Sequence, residues 1–390
     1  MSASADHDRF HLAIVQPHYR PDGGVERFIH RAVSALRERG LRVSIITRRW
    51  EAGSGEPSTT ADDDEVVICN PPYLGRTMQD VTFARAACRT IATLRPDCVQ
   101  SQARIMCCEI FRAGGGVHAS WLEQRARSTG RLRRSTIAAS PYHQYVLRAE
   151  RALFTSPRLR AIICNSRMVR DEVQERFAVP DEKLHVIYNG VDHETFRPPT
   201  ATERENARRA FGCADHERVV LFVGSGFARK GLDTLLQAVA RLDSTWRVLV
   251  VGRDKNQRGY VRRAHALGIG ERVRFAGRQE YLLPYYHAAD LFALPTRYDP
   301  FANATLEAMA CGLPTLTSPK CGAVDLIEHQ RSGMVIDALD VNGWSEALAE
   351  LNDETSLRMM GRAGRELVRP LTTRRMVDQL TSLYRGVLHA

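Results

Sequence analysis

The sequence predicts an α/β protein with two parallel-sheet domains that face each other across a cleft. Three observations lead to this prediction: the chain has 390 residues, its short apolar runs alternate with segments of helical periodicity, and the alternation occurs in two blocks. This length exceeds what one hydrophobic core usually supports, and alternating strands and helices favour parallel sheets. Ligands of such sheets bind beyond the carboxyl ends of the strands, so we expect a site in the loops that follow strands.

The first block predicts one sheet built from four apolar segments. A strand, a glycine-containing loop, a helix and a second strand follow one another in the order of a βαβ unit. The strands are predicted at His11–Gln16, Leu41–Thr47, 97–102 and 161–166, and the helix at Val25–Arg39, closed by Gly40.

The second block predicts four strands of another sheet, and a helix ends the chain. The Asn-Gly turn and paired prolines of His185–Pro199 predict a linker between the blocks. We therefore expect domains at 1–197 and 198–371, with 372–390 crossing back to the first domain. The strands are predicted at Arg218–Ser225, Trp246–Gly252, Val273–Gly277 and Asp290–Thr296, and the terminal helix at Thr373–Leu388.

The composition favours a cytoplasmic protein with phosphate-bearing partners. The formal charge is +10, and only four of the 55 basic residues are lysines; a positive balance fits ligands that carry phosphates. No apolar run reaches the roughly 18 residues of a transmembrane helix, and the polar N-terminus lacks the apolar region of a signal peptide. Nine cysteines without a repeated spacing predict free thiols in a reducing cytoplasm.

The segment after the last strand of the second sheet places two carboxylates around the start of a short helix. Its sequence, YDPFANATLEAMACGLPT, puts Asp299 eight residues before Glu307. The apolar periodicity predicts a helix that Asn303 or Thr305 caps and that Gly312 ends. The amide groups at such a helix start suit a phosphate, and carboxylates beside it can bind sugar hydroxyls.

A second loop supplies positive charge at the same edge of the sheet. In the segment GFARKGLD, Arg229 and Lys230 follow a strand and lie between two glycines. Two adjacent cations near a helix start can hold a nucleotide diphosphate, and preorganised cations can do so without a metal. The acidic run Ala61–Glu65 lies in a polar loop, and we interpret it as solvated surface rather than as a metal site.

These motifs, in this order, resemble the family-4 retaining glycosyltransferases, which have the GT-B fold of two Rossmann-like domains. The resemblance covers nearly the whole chain. The motifs that carry the resemblance are GSGFARKGLDTLL, VVGRDK, FAGR and YDPFANATLEAMACGLPT in the second block, and PDGGVERFI and NSRMVRDEV in the first. Within the family, GFARKG and TSPKCGAVDLI are most similar to the lipopolysaccharide-core heptose glucosyltransferases that use UDP-glucose.

The resemblance implies a role for each candidate residue. Arg229 and Lys230 would hold the diphosphate of the donor. Glu307 would bind its ribose, whereas Asp299 and His118 would contact the donor sugar. The family has glutamate where this chain has Asp299, and the shorter side chain bears on which sugar is accepted. The other implied contacts to the nucleotide-sugar come from Gly23, Gly24, Arg278, Asn303, Ala304 and Thr305.

The activity implied is retaining transfer of a hexose, expected to be glucose, from a UDP-sugar to a saccharide acceptor. The acceptor would be a lipopolysaccharide core or another lipid-linked glycan, and no cofactor is expected besides the donor. No carboxylate stands out as a nucleophile, which agrees with the front-face substitution that the resemblance implies.

Other functions are compatible with parts of the sequence. A nucleotide-sugar epimerase or a phosphorylase of the same fold is the main alternative, followed by a transferase that uses another nucleotide-sugar for exopolysaccharide synthesis. A dinucleotide-dependent dehydrogenase needs GxGxxG after its first strand, where this chain has PDGGVER. No nucleic-acid-binding module is recognised, and we expect no nucleic-acid partner.

One basic segment predicts contact with a membrane. Residues Trp121–Arg151 carry seven arginines against two glutamates, with Trp121, Tyr142 and Tyr145 interspersed. Such a segment can lie on an anionic leaflet. We therefore expect a cytoplasmic enzyme with peripheral contact to the inner face of the cytoplasmic membrane.

Overall fold

The chain folds into two compact units. The first comprises Met1–Gly190 with Thr373–Ala390, and the second comprises Val191–Thr372. The division after Gly190 precedes the boundary expected at 197. The computed structural model describes residues 10–19, 33–50, 65–130, 135–137 and 139–389.

Each unit is built on a parallel sheet, as the sequence predicts. The strands are β1 His11–Val15, β2 His18–Tyr19, β3 Arg42–Thr47, β4 Arg49–Trp50, β5 Glu65–Ile68, β6 Cys98–Ser101, β7 Ile110–Arg112, β8 Ala161–Cys164, β9 Leu184–Val186, β10 Arg218–Val223, β11 Trp246–Val251, β12 Val273–Gly277, β13 Leu291–Leu294, β14 Thr315–Thr317 and β15 Gly333–Val335. The first sheet has the order β5-β3-β1-β6-β7-β8-β9, the second has the order β12-β11-β10-β13-β14-β15, and β2 pairs with β4.

Helices connect the strands and cover the sheets. Residues 33–38 are helical and Gly40 follows with φ +83°, as predicted, whereas the rest of the helix predicted at Val25–Arg39 lies outside the described residues. The bounded helices are α1 Gly75–Leu94, α2 His118–Arg127, α3 Pro141–Phe154, α4 Arg167–Phe177, α5 Ala201–Phe211, α6 Phe227–Lys230, α7 Leu232–Val239, α8 Gln257–Ala266, α9 Leu283–Ala288, α10 Asn303–Ala310, α11 Val341–Glu350, α12 Glu354–Val368 and α13 Thr373–His389. None of these helices combines the length and apolarity needed to cross a bilayer.

The first sheet is buried on both faces, which is why its strands are nearly continuous apolar runs. Along β1, Leu12 and Ile14 belong to one buried cluster, whereas Ala13 belongs to the other. Helix α13 packs its apolar side chains into the cluster of Leu12, and Tyr384 donates a hydrogen bond to Gln100 Oε1 at 2.7 Å. The C-terminal helix is therefore part of the first unit.

Two features of the first unit differ from the sequence-based expectations. Cys88 and Cys107 form a disulfide with Cα atoms 5.8 Å apart, so the prediction of free thiols is wrong for this pair, while the other seven cysteines are free. Sequence spacing could not reveal the pair because tertiary packing brings α1 next to the loop before β7. The segment predicted as a linker, His185–Pro199, begins inside β9, where His185 pairs with Ile163.

In the second unit, a glycine allows two helices to approach closely. A Cβ atom added at Gly361 in α12 would lie 1.9 Å from the carbonyl oxygen of Gly312, just after α10. A contact of that length requires the helices to move apart.

Replacing Gly361 by alanine is expected to lower the free energy of unfolding by about 1–3 kcal/mol, because the added methyl overpacks this contact. Gly386 in α13 is the matched control, since a Cβ atom there meets nothing within 4 Å. Gly386→Ala should leave stability unchanged or raise it by up to about 1 kcal/mol. Urea denaturation of both variants measures the difference, and equal midpoints would contradict the packing account.

Candidate active site

The candidate site lies where the strands of the second sheet end. At this edge the backbone of β10 and that of β11 come so close that a Cβ atom at Gly252 would lie 2.1 Å from the carbonyl oxygen of Gly224. Gly252 also has φ +138°, a conformation that other residues rarely adopt. The two glycines therefore let consecutive loops stack closely beside the segment that follows β10.

Two more glycines bracket the short helix α6, which carries the predicted cations. Gly226 precedes α6 with φ +76° and Gly231 follows it with φ +78°. A Cβ atom at Gly231 would lie 1.8 Å from the carbonyl oxygen of Pro295, so α6 is held tightly against the loop after β13. The first amide of α6, that of Phe227, donates to Asp254 Oδ2 at 2.7 Å. Asp254 thus occupies the start of α6.

Arg229, Lys230 and Asp299 form one ionic cluster. Lys230 Nζ donates to Asp299 Oδ2, and Arg229 donates to the same oxygen at 3.0 Å and to the Tyr298 carbonyl at 3.0 Å. The Lys230 and Asp299 side chains are 10% and 7% exposed, whereas that of Arg229 is 39% exposed. Sequence reasoning identified all three residues but did not anticipate that they bind one another.

The ionic cluster keeps a net positive charge. Burial by itself would raise the pKa of Asp299, but the Lys230 ammonium and then the Arg229 guanidinium outweigh it and lower the pKa below its ordinary value. The carboxylate is therefore ionised at neutral pH, and it balances only one of the two cations. The excess charge lies at Arg229, whose side chain reaches solvent.

Backbone hydrogen bonds fix the loop that carries Asp299. The Asp299 amide donates to the Lys320 carbonyl at 2.8 Å, and the Gly322 amide donates to the Asp299 carbonyl at 2.8 Å. The Arg297 amide donates to the Arg229 carbonyl at 2.8 Å. The loops after β10, β13 and β14 are thus joined at the ionic cluster.

Helix α10 begins next to this loop without a side-chain cap. Ala302 occupies the N-cap position, so the predicted capping by Asn303 or Thr305 is wrong. Thr305 Oγ1 is instead buried and lacks a hydrogen-bond partner among the described residues. The predicted helix end is confirmed, because Gly312 follows the C-cap with φ +76°.

Glu307 is positioned by a residue that sequence analysis missed. It lies in α10 and is buried, and Tyr286 of α9 donates to Glu307 Oε2 at 2.8 Å. The same hydroxyl lies 3.3 Å from the Ala304 carbonyl. No spacing signal points to Tyr286, since it comes from another helix and meets Glu307 only in the folded unit.

The other candidate residues of the sequence analysis are placed apart from the contacts that join Arg229, Lys230 and Asp299. Arg278 is exposed directly after β12, at the same edge of the sheet. Gly23 and Gly24 lie outside the described residues. Asp62–Asp64 also lie outside them, and in the described ranges no three His, Cys, Asp or Glu side chains gather as a metal site would require.

His118 lies in the first unit, as the first residue of α2. Its amide donates to both carboxylate oxygens of the buried Glu150 at 3.0 Å, and Arg104 donates to Glu150 Oε1 at 2.6 Å. Burial, followed by the charges of Arg104 and His143, lowers the pKa of His118 to about 4. The imidazole is therefore neutral at physiological pH, and sequence analysis anticipated none of these partners.

Two family models match the chain, one for each unit. The model described as Glycosyltransferase Family 4 matches residues 22–195. The model described as Glycosyl transferases group 1 matches residues 203–367. Together the two matched segments span most of the chain.

Curated relatives align over nearly the full length. The D-inositol 3-phosphate glycosyltransferase of Mycolicibacterium smegmatis is 26% identical over 392 residues, which covers 95% of this chain and 88% of the relative. The enzyme of the same name from Corynebacterium urealyticum is 28% identical and covers 94% of this chain and 91% of the relative.

Solved structures share the fold. WaaG, a glycosyltransferase involved in lipopolysaccharide biosynthesis, has a TM-score of 0.82 at 22% identity, covering 95% of this chain and 99% of WaaG. Anabaena Alr3699/HepE in complex with UDP-glucose has a TM-score of 0.74 at 18% identity, covering 97% and 100%. At these sequence identities the solved structures support the fold alone, whereas the two family models identify the protein family. The chain therefore belongs to the family-4 glycosyltransferases, and its two parallel-sheet units have the GT-B fold.

Proposed function

We propose that the protein is a retaining, metal-independent glycosyltransferase that transfers a hexose from a UDP-sugar to a saccharide acceptor. Glucose is the hexose that we propose. The observation that carries this proposal is the net positive cluster of Arg229, Lys230 and Asp299 at the carboxyl edge of the second sheet. Its position next to the uncapped start of α10 gives an anion two sources of attraction.

The cluster suits the pyrophosphate of a nucleotide-sugar. When the glycosyl bond breaks, negative charge grows on the leaving diphosphate, and fixed cations stabilise that charge without moving. Arg229 and Lys230 supply the cations, so a metal is not needed for this step. Asn303, Ala304 and Thr305 form the helix start that would face the phosphate.

The two carboxylates would bind hydroxyl groups on either side of the diphosphate. Glu307 is held by Tyr286 and is assigned to the ribose. Asp299 uses Oδ2 for the two cations, and among the described residues Oδ1 accepts no hydrogen bond. Oδ1 is therefore the atom that we assign to the donor sugar.

The comparisons support the substrate classes. HepE was crystallised with UDP-glucose, WaaG is involved in lipopolysaccharide biosynthesis, and the curated relatives are named D-inositol 3-phosphate glycosyltransferases. We propose a lipopolysaccharide core or another lipid-linked glycan as the acceptor. Retention would proceed on one face of the sugar, with the leaving phosphate accepting the proton of the acceptor hydroxyl.

We also propose contact with the inner face of the cytoplasmic membrane through Trp121–Arg151. The Trp121 ring centroid lies 5.3 Å from that of His118 and 5.7 Å from that of His143, so these rings cover part of its surface. The proposal therefore rests on charge, since exposed arginines such as Arg127, Arg148 and Arg151 attract an anionic leaflet.

Because the proposed donor is UDP-linked, UDP and UDP-glucose are expected to raise the melting temperature of the protein more than GDP- or ADP-sugars. A ligand that binds the native state stabilises it by about 2.7 kcal/mol at a hundredfold excess over Kd. A thermal-shift screen measures this. If a GDP-sugar gives the larger shift, the donor assignment is wrong, and conversion of a UDP-sugar without an acceptor would identify an epimerase.

The double variant Lys230→Met with Asp299→Asn is expected to abolish most of the shift given by UDP. Removing both charges avoids the roughly 3–5 kcal/mol loss that follows when one buried partner is left alone, so the unliganded melting temperature should change little. Lys183→Met is the control, because Lys183 Nζ binds the Leu159 carbonyl in the first unit. A full UDP shift in the double variant would exclude Lys230 as a phosphate ligand.

Flotation with anionic vesicles tests the membrane proposal. Replacing Arg127, Arg148 and Arg151 by glutamine should lower the bound fraction several-fold, since each basic residue near the surface contributes about 1 kcal/mol. The matched control replaces three exposed arginines of the second unit, at Arg209, Arg241 and Arg358. Equal loss in both triple variants would mean that total charge, not this segment, governs binding.

A further inference from the structure

The ring of His118 is paired with a second histidine. His118 Nε2 lies 3.0 Å from His143 Nδ1, and the ring centroids are 5.1 Å apart. His143 comes from α3, and Trp121 of α2 packs against both imidazoles. Since a hydrogen bond between two ring nitrogens contains one proton, the tautomer of one neutral ring determines that of the other.

Both rings of the pair are neutral. Burial lowers the pKa of His143, with further contributions from Arg125 and Arg76. The pKa of His118 is lowered in the same direction. Burial and neighbouring cations disfavour an extra proton on either ring, so the hydrogen bond joins two neutral imidazoles.

The backbone of His118 is fixed independently of its ring. The Glu150 carboxylate holds the first amide of α2, and Arg104 holds that carboxylate. Glu150 thus constrains the backbone of His118, and His143 constrains its ring. Nδ1 of His118 makes no hydrogen bond to any described residue.

We propose that His143 is a positioning residue that fixes the tautomer of His118, with His118 Nε2–H donating to His143 Nδ1. In this arrangement both rings carry their proton on Nε2, which is the intrinsically preferred site of a neutral histidine. His118 Nδ1 is then an unprotonated acceptor.

This assignment specifies the ligand group that His118 can bind. An unprotonated ring nitrogen accepts a hydrogen bond from a hydroxyl and offers nothing to a phosphate oxygen, which is itself an acceptor. Resting on the proposed function, the inference is that His118 recognises a hydroxyl group of a sugar substrate and not a phosphate. His143 would then act through His118 without touching the substrate.

The tautomer can be observed directly by NMR of protein labelled with 15N at histidine, with the His118 signals assigned from their loss in His118→Gln. We expect a pyrrole-type Nε2 and a pyridine-type Nδ1 throughout pH 6–8 in the wild type. In His143→Phe, which keeps a ring but removes the acceptor, His118 should become a mixture of tautomers. A protonated Nδ1 in the wild type, or an unchanged tautomer in His143→Phe, would overturn the proposal.

Kinetics provide the second readout. His143→Phe should lower kcat/KM for the UDP-sugar about fivefold, the order expected from one hydrogen bond, while the thermal shift given by UDP stays unchanged. His143→Asn should restore most of the activity, because its Oδ1 can accept the same hydrogen bond. His216→Phe, at an exposed position of the second unit, is the control.

The two readouts separate failure of this inference from failure of the proposed function. If the protein transfers no sugar but shows the expected tautomer and its loss in His143→Phe, the pairing holds and the proposed function fails. If transfer occurs and His143→Asn is as impaired as His143→Phe, the positioning role of His143 is wrong.

Discussion

The second unit is organised around one buried carboxylate that two cations share. Asp299 is 7% exposed at its side chain, and both Lys230 and Arg229 donate to the same oxygen. An unpaired carboxylate at this depth would be costly, so the three side chains must be placed together. The glycines at positions 226 and 231 make this possible, since they let a four-residue helix lie against the loop after β13.

Under the proposed function, this arrangement would link stability to catalysis. A site for a pyrophosphate needs concentrated positive charge before the ligand arrives, and that charge destabilises a fold unless a counter-ion is present. Asp299 supplies one negative charge for two positive ones, so the cations are held in place while the cluster stays attractive to anions. At the start of α10, the buried hydroxyl of Thr305 has no hydrogen-bond partner among the described residues.

The sequence predicts the fold well because continuous apolar strands and glycine-marked loops are local signals. Arg229, Lys230, Asp299 and Glu307 were identified in this way, since they follow strands or open a helix. What it could not predict are pairings between distant segments: Asp254 at the start of α6, Tyr286 on Glu307, and the disulfide of Cys88. The predicted capping of α10 was wrong because the helix already begins at Asn303, which places Thr305 inside it, where its side chain is buried.

A crystal structure with UDP bound tests the central claim most directly. The account predicts that oxygens of the β-phosphate lie within hydrogen-bonding distance of Lys230 Nζ and the Arg229 guanidinium, with Asp299 still holding both side chains from the opposite side. A diphosphate bound at another loop, with the contacts among Lys230, Arg229 and Asp299 unchanged and no phosphate oxygen near them, would contradict it.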